Sequence, residues 1–312
     1  MITNPPVKIN LGLNVLRKRE DGYHDLKTLF YPSSQMSDIL EIIRGDDYSR
    51  TSSRLSAQYG HNSRIALAGE GQSIVEDDDI PSLSQAISPD GKLMITVARE
   101  EGVDWPVLND LCAKAYFMLY KDFNLPPVKI YLEKKSPVGA GLGSGSADAA
   151  YTLKMLSEMF DLGIDNMKLA EYASKLGSDC AFFVWNRPMI GEGRGEILSP
   201  YDLNVEITDT GMHTIASGKD RYELKIIAPE GVHVSTAEAY KGIVPSIPSI
   251  DIRDVLSLPV EKWKDLLVND FETTVFKLHP ELAAIKQSLY DSGAAYASMS
   301  GSGSALFALY KL

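Results

Sequence analysis

The chain has 312 residues, 44% of them hydrophobic and 23% charged, which is enough for one large or two ordinary folded domains. A formal net charge of -11 excludes a broad nucleic-acid or anionic-membrane surface, and no apolar run reaches the roughly 20 residues of a membrane span. Two cysteines, Cys112 and Cys180, are too few for a disulfide framework or a zinc cluster, so we expect a reducing, cytoplasmic setting.

The first hundred residues are predicted to form mainly strands. Apolar residues recur at every second position over 7–15, which predicts a strand with one buried face. The polar run RKREDG predicts an exposed turn, and a second apolar run follows it and ends near Tyr31. Two more strands are predicted at 36–43 and 91–100, on either side of the loosely patterned stretch 45–90.

A helix and a strand precede the glycine-rich part of the chain. Residues 107–123 are amphipathic with helical period, and Pro126 and Pro127 stop this helix. Alternation over 128–135 predicts a strand, and the alanine, leucine and methionine content of 147–160 predicts the next helix.

The second half of the chain mixes the two kinds of element. A helix is predicted to end near Gly177, followed by a turn that carries Asp179 and then by an apolar strand. A strand in ELKIIAP, a helix that starts within VHVSTAEAY, two amphipathic helices and two short strands around 298–307 follow. Because the elements do not alternate strictly, we expect an α+β fold that divides near residues 188–200.

The segment PVGAGLGSGSADAA has four glycines within seven positions, between a predicted strand and a predicted helix. Glycines allow backbone N–H groups to approach phosphate oxygens, and a helix N-terminus adds the positive end of its dipole. No Lys-Ser/Thr follows the last glycine, and the spacing is not G-x-G-x-x-G, which excludes the Walker and dinucleotide loops. We therefore predict a phosphate-binding loop; a tight turn or close helix packing is the alternative.

Two charged residues stand beside apolar runs. Lys8 interrupts the first predicted strand, where it is either a placed cation or an edge-strand lysine whose ammonium reaches water. Asp179 precedes an apolar run, where it is either a cap of the turn or a placed base. One lysine, one aspartate and one phosphate loop are what the transfer of a phosphoryl group to a hydroxyl requires.

Two turns supply candidates for binding. DGYHDL places Tyr23 beside His24, and the ring is suited to stack on a base or sugar while the imidazole forms hydrogen bonds. An ordinary exposed hairpin turn has the same pattern, and a general base is a further role for His24. The Ser-Gly alternation of SMSGSGSALF either places backbone amides near a phosphate or forms a simple hairpin.

With these motifs, the chain resembles the GHMP kinase superfamily, and within it the kinases that phosphorylate diphosphocytidyl-methylerythritol in non-mevalonate isoprenoid (terpenoid) synthesis. PVKINLGLNV with DGYHDLKTLF resembles the P-x-K-I-N-L and D-G-Y-H segments of that family, and PVGAGLGSGSADAA resembles its phosphate loop. LGSDCAFFV, GEGRGEIL, VSTAEAY and SGSGSALFAL resemble its later signatures in the same order. The pair K-I-N-L and D-G-Y-H is discriminating, because other superfamily members keep the glycine loop without the Tyr-His turn.

The resemblance implies an α+β fold in two domains with the active site in the inter-domain cleft. Residues 1–190 would carry the ATP loop and the catalytic residues, and 191–312 would lie on the acceptor side. ATP is the implied co-substrate, with Mg²⁺, and the acceptor is a small molecule with a cytidine diphosphate moiety. No nucleic acid or membrane is expected as a partner, and monomer and homodimer both stay open.

Catalytic and ATP-binding roles follow from the resemblance residue by residue. Asp179 would be the base for the acceptor hydroxyl, Lys8 would hold and polarise that hydroxyl, and Asn10 would contact the acceptor beside them. Ser146 is the candidate contact for Mg²⁺. The residues implied to wrap the ATP phosphates are Pro137, Gly139, Ala140, Gly141, Leu142, Gly143, Ser144, Gly145 and Ser146.

Acceptor binding is implied for three aromatic residues. Tyr23 and His24 would hold the cytidine, and Tyr240, at the end of VSTAEAY, would place a second aromatic ring so that the base is sandwiched. A related kinase for homoserine, mevalonate or a sugar is the alternative within the superfamily, although those acceptors have no base to stack. A nucleotide-binding regulator without turnover is the alternative from another class.

The chain departs from the family pattern in several places. Ser144 replaces the middle glycine of the family's triple, and Ala147 replaces its second serine, so any hydroxyl contact from position 147 is lost. The segments 45–104 and 204–221 are longer than the family usually shows. No functional role follows for them from the sequence; extra strands or a helix-loop decoration are expected.

Overall fold

A computed structural model describes residues 1–66, 80–210 and 218–312, and the chain forms two compact units. Unit 1 comprises Met1–Pro6, Met36–Ser136 and Ser144–Trp185; unit 2 comprises Val7–Gln35, Pro137–Gly143 and Asn186–Leu312. This grouping differs from the predicted single division at 190/191, because residues 7–35 and 137–143 belong to unit 2. Strand pairing between distant parts of the chain causes the difference, as Leu26 opposite Gly193 illustrates.

Within the described ranges, unit 1 is built on a six-stranded sheet. Its strands, in the order of their hydrogen bonding, are β1 (Ile2–Thr3), β4 (Ile39–Arg44), β8 (Val128–Lys134), β7 (Leu93–Arg99), β6 (Leu83–Ile87) and β5 (Ser63–Ala66). β8 pairs antiparallel with β4 and parallel with β7. The strands predicted at 36–43, 91–100 and 128–135 are confirmed, with slightly shifted ends.

The helices of unit 1 are α1 (Arg50–Tyr59), α2 (Leu111–Phe123), α3 (Ser144–Met159), α4 (Asn166–Leu176) and α5 (Cys180–Trp185). Asp110 and Asp165 cap α2 and α4 by accepting backbone N–H groups of their first turns. The prediction of α2 is confirmed, and α3 begins within the glycine segment, three residues before its predicted start at 147. No helix in the described ranges is long and apolar enough to cross a membrane.

The strand predicted after Asp179 is wrong, because this stretch forms α5. Cys180–Val184 are all buried, and the rings of Phe182 and Phe183 lie 5.0 Å apart at an interplanar angle of 71°. A short apolar run is compatible with a buried strand or a buried helix, and periodicity does not distinguish them. Asp179 therefore directly precedes a helix.

Unit 2 contains two four-stranded sheets within its described residues. The first has the order β10 (Ile197–Pro200), β9 (Met189–Gly193), β3 (His24–Ser37) and β2 (Pro6–Lys18). The second has the order β11 (Val205–Asp209), β12 (Asp220–Ile227), β14 (Leu306–Lys311) and β13 (Tyr296–Met299). The helices are α6 (Thr236–Lys241), α7 (Ile252–Leu256), α8 (Glu272–Leu278) and α9 (Pro280–Asp291).

The long segments 45–104 and 204–221 fold into parts of these sheets. The first supplies α1 and the strands β5, β6 and β7, and the second supplies β11 and the start of β12. Residues 67–79 and 211–217 of these segments lie outside the described residues. Both segments contribute regular structure, but β7 and β12 each pair with two strands inside a sheet, so these parts are not added decorations.

The first predicted strand is confirmed as β2, but both of its faces are buried from Pro6 to Val15. The apolar residues point to one face, and polar residues alternate with them on the other. Lys8 is 3% exposed and Asn10 is 1% exposed. The expectation of a single buried face is therefore wrong, because this strand buries polar side chains as well.

Two glycine-containing turns pack against each other in unit 2. In the first, Pro137–Gly143, the φ angles of Gly139, Gly141 and Gly143 are +73°, +77° and +69°. Residues other than glycine rarely adopt this left-handed conformation. The second turn connects β13 to β14 and contains Ser300. A Cβ atom on Gly141 would lie 2.1 Å from the carbonyl oxygen of Ser300.

Hydrogen bonds join the two turns directly. Ser300 Oγ donates to the carbonyl of Gly141 at 2.9 Å, and the N–H of Ala305 donates to the carbonyl of Ala140 at 3.0 Å. Close packing thus explains Gly141, although it is the packing of two turns and not the helix packing that the sequence offered as an alternative. It does not explain Gly139, around which a Cβ atom would meet nothing within 4 Å.

Gly139 and Gly141 form a matched pair for testing this contact. Gly139→Ala should lower the free energy of unfolding by about 1–2 kcal/mol, because it introduces only backbone strain. Gly141→Ala adds a clash with the Ser300 carbonyl, so we expect a loss of roughly 3 kcal/mol or more. Urea unfolding at pH 7 measures both values, and equal losses would contradict the packing of the two turns.

Candidate active site

The side chain of Lys8 lies in the interior of unit 2, beside the glycine loop. Its ammonium donates to Asn10 Oδ1 at 2.6 Å and to the carbonyl of Gly141 at 2.9 Å, and lies 5.5 Å from the centre of the Phe30 ring. The alternative of an edge-strand lysine that reaches water is therefore wrong. The cation is instead fixed in direction by oxygen atoms of β2 and of the loop.

Asn10 is itself held in one orientation. Alternation along β2 places it on the same face as Lys8. Its Nδ2 donates to Thr28 Oγ1 at 3.0 Å, and that hydroxyl donates to the carbonyl of Gly12 at 2.5 Å. Because both ends of the Asn10 amide form hydrogen bonds, its oxygen is oriented toward the Lys8 ammonium. In a buried network, the loss of one partner leaves another polar group unpaired and lowers the free energy of unfolding.

The second turn contributes residues that the predicted site did not contain. Asn269 Nδ2 donates to the carbonyls of Met299 and Gly301 at 2.7 and 2.8 Å, which fixes the backbone of this turn. Ser300 Oγ lies 3.5 Å from Asn10 Oδ1. The sequence marked this turn through its Ser-Gly alternation, but Asn269 is isolated between helices and carries no local signal.

Another part of the predicted site belongs to unit 1. Residues 144–146 form the first turn of α3, and Asp179 is half-buried directly before α5. Burial raises the pKa of the Cys180 thiol to about 12, and the nearby Ser146 side chain opposes this rise. A Cβ atom on Gly177 would lie 3.2 Å from Cys180 Sγ, so this glycine leaves room for the thiol.

The structure therefore brings some of the predicted catalytic and ATP-binding residues into contact within unit 2 and places the others in unit 1. Lys8, Asn10 and the loop Pro137–Gly143 meet within unit 2. Asp179 and Ser146 belong to unit 1, where Ser146 at the start of α3 lies near Cys180, the residue after Asp179. The joint action of Lys8 and Asp179 stays a prediction.

Two of the three predicted aromatic residues are stacked in unit 2. The rings of His24 and Tyr240 lie 4.6 Å apart at an interplanar angle of 22°, and the Tyr240 ring meets Phe271 at 4.7 Å and 82°. Tyr23 is 56% exposed, and its ring centre lies 5.0 Å from the Arg194 guanidinium. Arg194, in the GEGRGEIL loop, was not among the predicted site residues.

The surroundings of His24 disfavour its charged form. Burial, together with the charge of Lys18, lowers the pKa of His24 below its usual value of 6.5. A neutral imidazole offers one donor and one acceptor, which suits stacking and hydrogen bonding with an uncharged ring. Below about pH 6.5 the unfolded chain takes up a proton at this position before the folded chain does, so the free energy of unfolding decreases.

The oxygen chemistry at the start of α3 fits Mg²⁺ held mainly by a nucleotide. In the described ranges, no cluster of three or more His, Cys, Asp or Glu side chains could hold a metal ion. Mg²⁺ bound with nucleoside triphosphates commonly takes most of its ligands from phosphates and water. One or two carboxylates usually add to these ligands, and Ser146 as a contact of Mg²⁺ stays a prediction.

Family models match two separate parts of the chain. The model of the GHMP kinases N terminal domain matches residues 110–187, from the start of α2 to the end of α5. The model of the GHMP kinases C terminal matches residues 255–312, which include α8, α9, β13 and β14. The glycine loop lies in the first match and the second turn lies in the other.

Individual relatives match almost the whole chain. The 4-diphosphocytidyl-2-C-methyl-D-erythritol kinase of Bacteroides fragilis is 40% identical over 310 residues, which cover 99% of this chain and 92% of the relative. The kinase of the same name from Bacteroides thetaiotaomicron is 39% identical over 312 residues, covering 100% and 92%. These matches include the long segments 45–104 and 204–221.

A solved structure agrees with this relationship. The crystal structure of a 4-(cytidine 5'-diphospho)-2C-methyl-D-erythritol kinase is 28% identical in sequence and has a TM-score of 0.66. It covers 99% of this chain and 90% of its own. The expected α+β fold is confirmed. The chain therefore belongs to the GHMP kinase family, in the group whose members carry the name 4-diphosphocytidyl-2-C-methyl-D-erythritol kinase.

Proposed function

We propose that this chain transfers the γ-phosphoryl group of ATP to the 2-hydroxyl of 4-diphosphocytidyl-2-C-methyl-D-erythritol, in non-mevalonate isoprenoid synthesis. Membership of the GHMP kinases makes the chain a kinase with ATP as its co-substrate. The observation that carries the choice of acceptor is the 40% identity over 310 residues with a relative of that name. The stacked pair of His24 and Tyr240 supports it, because an aromatic surface suits a nucleobase.

In the proposed reaction, the acceptor oxygen forms a bond to the γ-phosphorus as the bond from that phosphorus to the β–γ bridging oxygen breaks. ADP leaves, and the hydroxyl proton passes to the carboxylate of Asp179. Lys8 donates a hydrogen bond to the attacking oxygen, which lowers the cost of the negative charge there. A tertiary alcohol is crowded and weakly acidic, so it benefits from both groups.

The environment of Lys8 suits this role. Its ammonium is buried, and Asn10 and the Gly141 carbonyl set its direction. A cation whose surroundings are already oriented needs no reorganisation as the reaction proceeds. The hydrogen bond that it donates to the Gly141 carbonyl also places it next to the loop that we propose for the ATP phosphates.

The nucleotide side of the proposal uses the loop and the first turn of α3, residues 137–146. The left-handed glycines allow N–H groups to point toward phosphate oxygens, and α3, with 16 residues, places its positive dipole end there. Mg²⁺, when bound with ATP, would neutralise phosphate charge, and Ser146 would contact it. The free, buried Cys112 and Cys180 fit a reducing compartment, and we place the chain in the cytoplasm.

A coupled ADP-release assay across acceptors tests the proposed reaction. With 4-diphosphocytidyl-2-C-methyl-D-erythritol and ATP, we expect release well above the rate without acceptor. Mevalonate, homoserine and galactose should give background rates, because they have no base for His24 and Tyr240. Release with one of these acceptors and none with the cytidine compound would contradict the proposal, and no release with any acceptor would support a non-catalytic protein.

Base binding is tested by Tyr23→Ala, with Tyr48→Ala as the matched control. Tyr48 is 82% exposed and belongs to unit 1. Loss of base stacking costs about 1–3 kcal/mol, so Tyr23→Ala should raise the KM for the acceptor about tenfold or more. The KM for ATP should stay the same, and Tyr48→Ala should change neither value. An unchanged acceptor KM in Tyr23→Ala would remove this ring from the binding site.

A further inference from the structure

A cluster of three buried charges lies in unit 1, among the residues that flank the predicted loop in the sequence. We call Asp38, Lys134 and Asp148 the buried clamp; their side chains are 1%, 4% and 2% exposed. Asp38 lies between β3 and β4, Lys134 ends β8, and Asp148 lies in α3. None of the three was among the predicted site residues.

Every N–H of the Lys134 ammonium has a partner. Lys134 Nζ pairs with Asp38 Oδ2, donates to Asp148 Oδ2 at 2.6 Å and donates to Ser144 Oγ at 3.2 Å. Burial lowers the pKa of Lys134, but the two carboxylates more than offset this and raise it above its usual value. The lysine is therefore charged, and it ties β8 to the first turns of α3.

Asp38 also holds the backbone that leads into the loop. Its Oδ1 accepts the N–H groups of Lys135 and Ser136, both at 2.7 Å. These residues directly precede Pro137 in the sequence. The buried clamp thus holds residues 134–136, which precede the segment 137–143, and residues 144–148, which follow it.

This arrangement is poorly explained by stability alone. Three ionisable side chains are withdrawn from water here, and burial raises the pKa of Asp148. Buried ion pairs contribute little net stability compared with well-packed apolar residues, whereas they define geometry strongly. A loop whose ends are already fixed loses less conformational freedom when it binds a ligand.

We infer that Asp38 is a positioning residue for ATP: through two backbone N–H groups and Lys134 it fixes both ends of the phosphate loop. The inference rests on the proposed use of this loop for the ATP phosphates. Asp38 acts through the backbone and through Lys134 and need not touch the nucleotide. Loss of the clamp should therefore weaken ATP binding without changing the affinity for the acceptor.

The test is calorimetric titration of Asp38→Asn with ATP and, separately, with the acceptor. The change keeps the shape of the side chain and leaves Lys134 paired with Asp148. At a temperature where circular dichroism shows folded protein, we expect the Kd for ATP to rise about tenfold and the Kd for the acceptor to stay within twofold. Asp165→Asn is the control, because Asp165 likewise accepts a backbone N–H, in this case of Lys168, at the start of α4.

A second variant covers the case in which Asp38→Asn does not fold. Lys134→Met combined with Asp148→Asn removes one cation and one anion, leaves the Asp38 backbone contacts in place, and should also raise the Kd for ATP. A folded variant that binds ATP within twofold of wild type, or that weakens both ligands equally, overturns the inference. Wild-type protein that does not bind ATP would overturn the proposed function as well, so the two failures are distinguishable.

Discussion

The buried ammonium of Lys8 is the interaction on which the organisation of unit 2 depends. A lysine inside a protein is costly unless hydrogen-bond acceptors surround it, and here the side chain of Asn10 and the carbonyl of Gly141 take that role. Asn10 in turn needs Thr28 on the neighbouring strand, so β2 and β3 must both be in place. The chemistry that we propose for Lys8 thus requires the sheet and the loop together.

The same requirement explains the approach of the two glycine turns. The Gly141 carbonyl accepts from both Lys8 and Ser300, so its position is fixed from two directions. Gly141 has no room for a side chain at this contact, and its φ of +77° favours glycine independently. Packing therefore explains Gly141, whereas Gly139, whose Cβ atom would meet nothing within 4 Å, is not explained by it.

Local patterns in the sequence predicted most of the elements but few of the contacts. Alternation identified β2 and β8, and helical period identified α2, because apolar residues line one face of each. The run after Asp179 was misread, since a short apolar stretch fits a strand or a buried helix equally well. The two discontinuous units depend on the pairing of β3 with β9, which no local pattern contains.

The residues of the site likewise fall into those that a local sequence pattern predicts and those that only the contacts of the folded chain reveal. Lys8, Asp179, Tyr23 and His24 stand out in the sequence because a charge or ring interrupts its surroundings, whereas Asp38 and Asn269 look like ordinary polar residues. Their importance comes from the backbone groups that they hold, and only the folded chain shows these. Positioning residues of this kind have no sequence signature of their own.

The proposed reaction depends most directly on Lys8 as its cation. The decisive measurement is the kcat of Lys8→Met beside that of Asp179→Asn, together with the Kd for ATP by calorimetry. We expect kcat to fall by about a hundredfold or more in each variant, with the Kd for ATP within a few-fold of wild type. Near-normal turnover in folded Lys8→Met would contradict the proposed role of Lys8 in the reaction.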